Sequence, residues 1–258
     1  MADPVTASPL ARTGGIAVAV ARARYSLRSV LSTRPGIYLP LARRRYAGNV
    51  GKVVEPGTTQ VVIDGFQRSA NTFAVTAFDL AQPEPVNVAH HLHAAAQIIA
   101  GVRAGIPTIV LARPPEETLL SHMIRLPYST ARQAIKNYIR FYEGVLPHSE
   151  GFVVGEFRVV TADFGSVIRD LNARFATSFA VFEHTEEDVR RCFELIEERN
   201  RERFGSVEEH TVARPSSERA NEKEGVRARF LDPRLASLRR RADRAYEALV
   251  AASPSAGQ

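Results

Sequence analysis

The chain has 258 residues, 45% hydrophobic and 24% charged, values of an ordinary globular protein that exclude collagen-like, coiled-coil and disordered classes for the body. That length suits one α/β domain whose core needs no covalent staple. The net charge of +6 is uneven: the first 48 residues carry eight arginines against Asp3 alone, a net +7, and leave −1 for the rest. The basic balance therefore belongs to an N-terminal arm, residues 1–50, and not to a folded basic face of the kind nucleic-acid binding requires, so no nucleic-acid partner is expected.

In chain order, residues 1–10 read as a frayed start. The apolar run 16–21 is too short to span a bilayer, which takes about 20 residues, and it lacks a secretory cleavage pattern. Segment 16–31 reads as a basic amphipathic helix. Either it packs its Ile/Val/Leu side on the body, or it makes weak contact with an anionic membrane surface through Arg22, Arg24 and Arg28. From residue 51 the texture becomes that of a single α/β domain running to 251. Val61–Phe66 reads as a buried strand and 72–81 as a helix; Val86–Ala89 reads as a strand and 93–104 as a helix stopped by Gly105 and Pro107. Thr108–Ala112 is a second buried strand. Pro114 and Pro115 open a helix over 115–125, with Glu116 and Glu117 in the first turn, where they complement the helix dipole.

A helix over 130–145 follows, then strand material at 152–154 and 158–160, and helices over 164–175 and 186–203. Residues 205–233 are polar with few apolar anchors and read as a loop or lid; 234–251 form a terminal helix and 252–258 a disordered tail. Alternating strands and helices predict an α/β three-layer sandwich with a central parallel sheet, whose ligands bind at the carboxyl ends of the strands. The one cysteine, Cys192, excludes an internal disulfide framework and a multi-cysteine metal site. It reads as a small apolar helix residue and points to a reducing, cytoplasmic setting.

Three elements carry candidate chemistry. The window VVIDGFQRSANT, 61–72, is a strand, a glycine, a polar loop and a helix start. This P-loop-like arrangement aims backbone N–H groups and a helix dipole at one spot, and the anion most often served so is phosphate. Arg68 adds a positive charge, and Ser69 and Thr72 add hydroxyls. Arg113 ends the strand 108–112, and Ser121 lies eight residues later, about two helical turns. An ion pair at a helix start and a surface hydroxyl are the plain alternatives. Third, His90, His91 and His93 cluster between a strand and a helix. No cysteine or regularly spaced acid completes a metal set, so no metal is expected. A neutral imidazole at a strand end suits a general base.

GFQRSANT, a loop histidine and IVLARPPEETLLS together resemble the sulfotransferase family that uses 3′-phosphoadenosine 5′-phosphosulfate (PAPS). The likeness is good over roughly 61–175. It implies PAPS as co-substrate, with the loop positions Gly65, Arg68, Ser69, Ala70, Asn71 and Thr72 at the 5′-phosphosulfate end and Arg113 and Ser121 at the 3′-phosphate. In the cytosolic branch a His-Leu base stands 22 residues before this arginine, which implies His91 as the base, with His90 and His93 as alternatives. The chain departs from the pattern at Gln67 (commonly Pro) and Ala70 (commonly Gly), and it has no clean Arg-Lys-Gly motif. Arg219 and Lys223 are substitutes for that motif. The implied activity is in-line transfer of a sulfuryl group to a hydroxyl or amine of a small-molecule or glycan acceptor, such as a carbohydrate or lipid-linked glycan, with Arg68 stabilising the developing charge. A P-loop kinase using ATP and a degenerate nucleotide- or glycan-binding protein are the competing expectations.

Overall fold

The computed structural model describes residues 15–49, 51–204 and 217–252, with side chains for all of these except 203–204 and 217–223. Among the described residues four short strands, β1 (Val61–Gly65), β2 (Val88–His90), β3 (Thr108–Ala112) and β4 (Val153–Glu156), form one parallel sheet in the order β2-β1-β3-β4. β1 and β3 are buried along their whole length, the continuous apolar texture of strands covered on both faces. Because successive side chains point to opposite faces, Val61, Ile63, Ile109 and Leu111 enter one core. That core is shared with α3 (Asn71–Ala81), α8 (Phe164–Phe175) and α9 (Glu186–Phe204). Val62, Val110 and Ala112 enter the other, shared with α4 (Ala95–Arg103), α5 (Pro115–Arg125), α6 (Ala131–Val145) and α11 (Ala236–Ala251). Helices thus cover both faces of a parallel sheet, as the alternation of elements predicts. Cys192 is buried on α9, and burial pushes its thiol up to about 12.

The helices start where local chemistry allows. Thr130 and Gln133 form a reciprocal capping box on α6, and the Asp163 carboxylate accepts from the Ser166 amide at the start of α8. At the outer edge of β2 the preceding segment lies alongside: the His90 amide donates to the Gly51 carbonyl at 2.8 Å. Gly51 has φ +79, and a Cβ there would stand 2.7 Å from the Val88 carbonyl oxygen, so both backbone freedom and space require glycine.

Four expectations are corrected. Residues 158–160 are not strand but belong to a short helix, α7 (Phe157–Ala162). β4 has already reached the sheet's carboxyl end, and this placement overrides the β propensity of Val159 and Val160. The strand expected at 86–89 starts at Val88 and runs to His90, because Asn87 still turns its amide to the Gln60 side chain. The lid expected at 205–233 contains α10 (Ser217–Phe230), which lies against α5 with Val226 and Phe230 buried and Arg227 paired with Glu116 at 2.8 Å. A helix held by two apolar anchors and an ion pair has no apolar period to show. Residues 205–216, the start 1–10 and the tail 253–258 lie outside the described residues.

The fourth correction concerns the arm. Residues 15–45 form α1 (Gly15–Leu31), packed on α6, and α2 (Pro35–Arg45), packed on α4. The face α1 turns to the body is Tyr25 and Ser29, not its Ile/Val/Leu side. Polar bonds cross this contact. Asn137 Nδ2 donates to the Tyr25 hydroxyl at 2.9 Å, which leaves that hydroxyl to donate to His122 Nε2 at 2.8 Å. Arg140 donates to Ser29 Oγ at 2.8 Å. Arg22 donates to the Tyr128 carbonyl and Arg28 to the Leu92 carbonyl, so two of the three arginines assigned to a membrane are bonded to the body.

Candidate functional site

In the strand order β2-β1-β3-β4 the chain leaves β1 toward one edge and β3 toward the other. A crevice therefore opens between the carboxyl ends of these two neighbours, the position where open parallel sheets bind ligands. The segments that leave there are 66–70 and 113–114. Gly65 lets β1 come close to β3: a Cβ at Gly65 would stand 2.4 Å from the Leu111 carbonyl oxygen. After Phe66 the loop takes two left-handed turns, Arg68 at φ 72 and Ala70 at φ 65, positions where glycine would be unstrained. Ala70 is the N-cap of α3 and offers no side-chain hydrogen bond, so no capping side chain covers the first N–H groups of that helix.

The loop brings Arg68, Arg113 and Ser121 together. Arg68 Nε donates to Ser121 Oγ at 2.8 Å, and Arg113 donates to the Arg68 carbonyl at 3.2 Å. Arg113 also pairs with Glu117 at 3.0 Å and lies 3.9 Å from the centre of the Phe157 ring. The three residues thus form one contiguous basic corner.

Two hydroxyls of the loop part company. Ser69 is fully buried, 3.3 Å from the Tyr142 hydroxyl, because the left-handed residues on either side turn it into the core. Asn71 is also buried; its amide nitrogen donates to the Phe66 carbonyl at 2.9 Å and braces the loop. Asn71 Oδ1 is buried with no hydrogen-bond partner among the described residues. Ser69 and Asn71 therefore turn their side chains into the interior. Thr72 is exposed and meets the histidines.

His91 Nε2 stands 3.2 Å from Thr72 Oγ1, which places this ring beside the first turn of α3. His91 Nδ1 and His90 Nδ1 are 2.7 Å apart, so one of them carries the shared hydrogen. Burial pushes His90 down to about 4, and it is neutral near pH 7. His93 lies edge-on to the His91 ring and donates from Nδ1 to the Gly65 carbonyl at 2.9 Å.

His91 and His93 both have positive φ, and a buried carboxyl group holds the strained turn that carries them. Asp64, the penultimate residue of β1, is inaccessible and accepts from the Leu92 and His93 amides and from the Gln97 side chain, each at 3.0 Å, and from the Gly65 amide at 2.9 Å. Cations hold the carbonyl side of the turn: Lys52 donates to the His91 carbonyl at 2.6 Å and Arg28 to that of Leu92 at 2.8 Å. Sequence reasoning missed Asp64 and Lys52 as organisers of this turn. The available signal was a lone acid in an otherwise apolar strand.

Arg219 and Lys223 lie on α10, outside the residues whose side chains are described; their helix lies against α5, which carries Ser121. Among the described residues no group of three or more His, Cys, Asp or Glu side chains is arranged to hold a metal ion, and no helix is long and apolar enough to cross a membrane. Compared with known proteins, the chain matches no family model, no curated protein and no solved structure.

Proposed function

We propose that the crevice between β1 and β3 binds a bis-phosphorylated adenosine donor, PAPS, and transfers its sulfuryl group to a hydroxyl or amine. The observation that carries this reading is the convergence of Arg68, Arg113 and Ser121 around the amides of the P-loop-like segment 66–70, with His91 against Thr72 at the start of α3. In this reading the loop amides and Arg68 hold the 5′-phosphosulfate end, and Arg113 with Ser121 holds the 3′-phosphate, which ATP lacks. To receive it, Arg113 exchanges part of its pairing with the exposed Glu117 for the phosphate.

The reaction forms a bond from the acceptor oxygen or nitrogen to sulfur and breaks the bond from sulfur to the 5′-phosphate oxygen. The acceptor's proton passes to His91 Nε2, and adenosine 3′,5′-bisphosphate leaves. This role needs a lone pair on Nε2 and therefore a hydrogen on His91 Nδ1. Neutral His90, accepting at Nδ1, is the neighbour that fixes that tautomer. Arg68 and the loop amides oppose charge growing on the transferred group and the leaving phosphate, a preorganised electrostatic effect.

A kinase reading needs a carboxylate for magnesium near the phosphates. Asp64 is the nearest acid of β1, and both its oxygens already accept hydrogen bonds in the interior. The inward turn of the Ser69 hydroxyl favours, as a second reading, a protein that binds the nucleotide without turnover.

Labelled PAPS offered with a panel of carbohydrate, lipid-linked and small-molecule acceptors tests both. Transfer is expected, with Arg68→Ala lowering the rate by about 10²–10³ and His91→Ala abolishing it. Retention on an adenosine 3′,5′-bisphosphate resin without magnesium, but no transfer, selects the binding protein. Equal retention on an ATP resin overturns the PAPS reading.

A further inference from the structure

Helix α1 is amphipathic the wrong way round for a helix packed on a protein. The side facing the body is Tyr25, Ser29 and the inward-bonded Arg22 and Arg28. The side facing away carries Ile16, Val20, Ala23, Leu27 and Val30, at steps of four and three that keep them on one stripe. Ile16 is 83% exposed and Leu27 60%. Helix α2 repeats the arrangement: Leu39 and Ala42 face the body, while Ile37 and Leu41 face outward, 46% and 55% exposed. Two successive helices thus present aliphatic side chains outward, and single exposed apolar residues scattered by chance would not share one stripe.

The formal charge carried by α1, α2 and their connection has one sign. Arg24, Arg34, Arg44 and Arg45 are exposed beside the aliphatic residues, and the chain has no Asp or Glu between Asp3 and Glu55. A second copy of the same face would set arginines against arginines with no acid to answer them. An anionic bilayer answers both features, since its interface accepts aliphatic side chains and its headgroups attract arginine.

We infer that the outward faces of α1 and α2 dock this protein on the surface of an anionic membrane, with Ile16, Val20, Leu27, Val30, Ile37 and Leu41 entering the interface and Arg24, Arg34, Arg44 and Arg45 at the headgroups. The inference is independent of the proposed chemistry. It also reassigns the contact expected from sequence, since of Arg22, Arg24 and Arg28 only Arg24 stands beside the aliphatic stripe.

The test is co-sedimentation of the full chain with phosphatidylcholine vesicles, with and without phosphatidylglycerol. Pelleting is expected only with the anionic vesicles, weakening as salt is raised. Leu27→Glu combined with Ile37→Glu should abolish it. Arg24→Gln, Arg34→Gln and Arg44→Gln together should weaken it on the order of a hundredfold, about fivefold for each arginine. All five positions are exposed, so thermal melting of both variants should match the parent and report that the fold is intact. Absence of pelleting with anionic vesicles overturns the inference, as does equal pelleting of the variants. A concentration-dependent dimer dissolved by the Glu variant, with no vesicle binding, also overturns it and assigns the face to a second copy.

Discussion

A carboxyl group buried at the end of a strand is costly unless donors surround it, and Asp64 has four, from Gly65, Leu92, His93 and Gln97. Its work is to fix the turn that sets His91 against Thr72. Asp64→Ala leaves the donors of Leu92, His93 and Gln97 unpaired in the interior and should lower stability by about 3–5 kcal/mol. Denaturant unfolding of the variant checks this, and a loss below about 1 kcal/mol would show that water replaces the carboxyl group. At this scale the sequence discloses residue types better than directions. Arg68, Arg113 and Ser121 meet one another, and Thr72 meets His91. The inward turn of Ser69 follows from left-handed backbone at Arg68 and Ala70, which no side-chain pattern announces. Likewise, His93 looks equivalent to His91 in the sequence. Only the register of β1 against β2 assigns it to the Gly65 carbonyl instead.

Among elements, the strand–loop–helix of residues 61–81 depends on how closely β1 approaches β3. The methyl group of Gly65→Ala would press on the Leu111 backbone, which cannot swing aside as a side chain can. The expected result is a loss of about 1–3 kcal/mol from overpacking and weaker retention on a bisphosphate resin, because the loop start is displaced. A thermal shift assay with and without adenosine 3′,5′-bisphosphate reads both effects, and an unchanged melting temperature would refute the claim. Elements with a clear apolar pattern are legible, among them β1, β3, α5, α6 and α11. Those shaped by their neighbours are not. α7 is a valine pair displaced beyond the sheet's end, and α10 is a polar helix pinned by Val226, Phe230 and the Arg227–Glu116 pair. The orientation of α1 escaped for a related reason: an apolar stripe says that a helix has a face to cover, and the Tyr25–His122–Asn137 bonds decide which side meets the body.

At the scale of the whole molecule, a buried imidazole, His122, and a half-buried one, His90, link folding to pH. Burial is the first cause in both, and it pushes His90 down to about 4 and His122 to about 3. Each ring is neutral in the folded state, while the unfolded chain takes up protons below about pH 6.5. The stabilisation is therefore complete above that pH and is lost as pH falls toward the folded values, at about 1.4 kcal/mol per pH unit for each ring. Denaturant midpoints should fall by the equivalent of about 3–4 kcal/mol between roughly pH 7.5 and 5. Asp79, whose carboxyl burial raises, acts in the opposite sense and at lower pH. A flat profile over that range would mean that the two rings are hydrated.

The sheet class follows from the alternation of elements, but its order does not, because nothing local tells β1 to lie between β2 and β3. That order leaves β2 as an outer strand only three residues long, with its His90 amide already donated to the Gly51 carbonyl. Unsatisfied amides on an exposed rim are what recruit foreign strands and seed fibrils. Here the chain's own backbone occupies that rim, and the left-handed glycine at its head makes the approach possible. The margin is thereby denied to self-templated growth, and a variant such as Gly51→Val would surrender aggregation resistance.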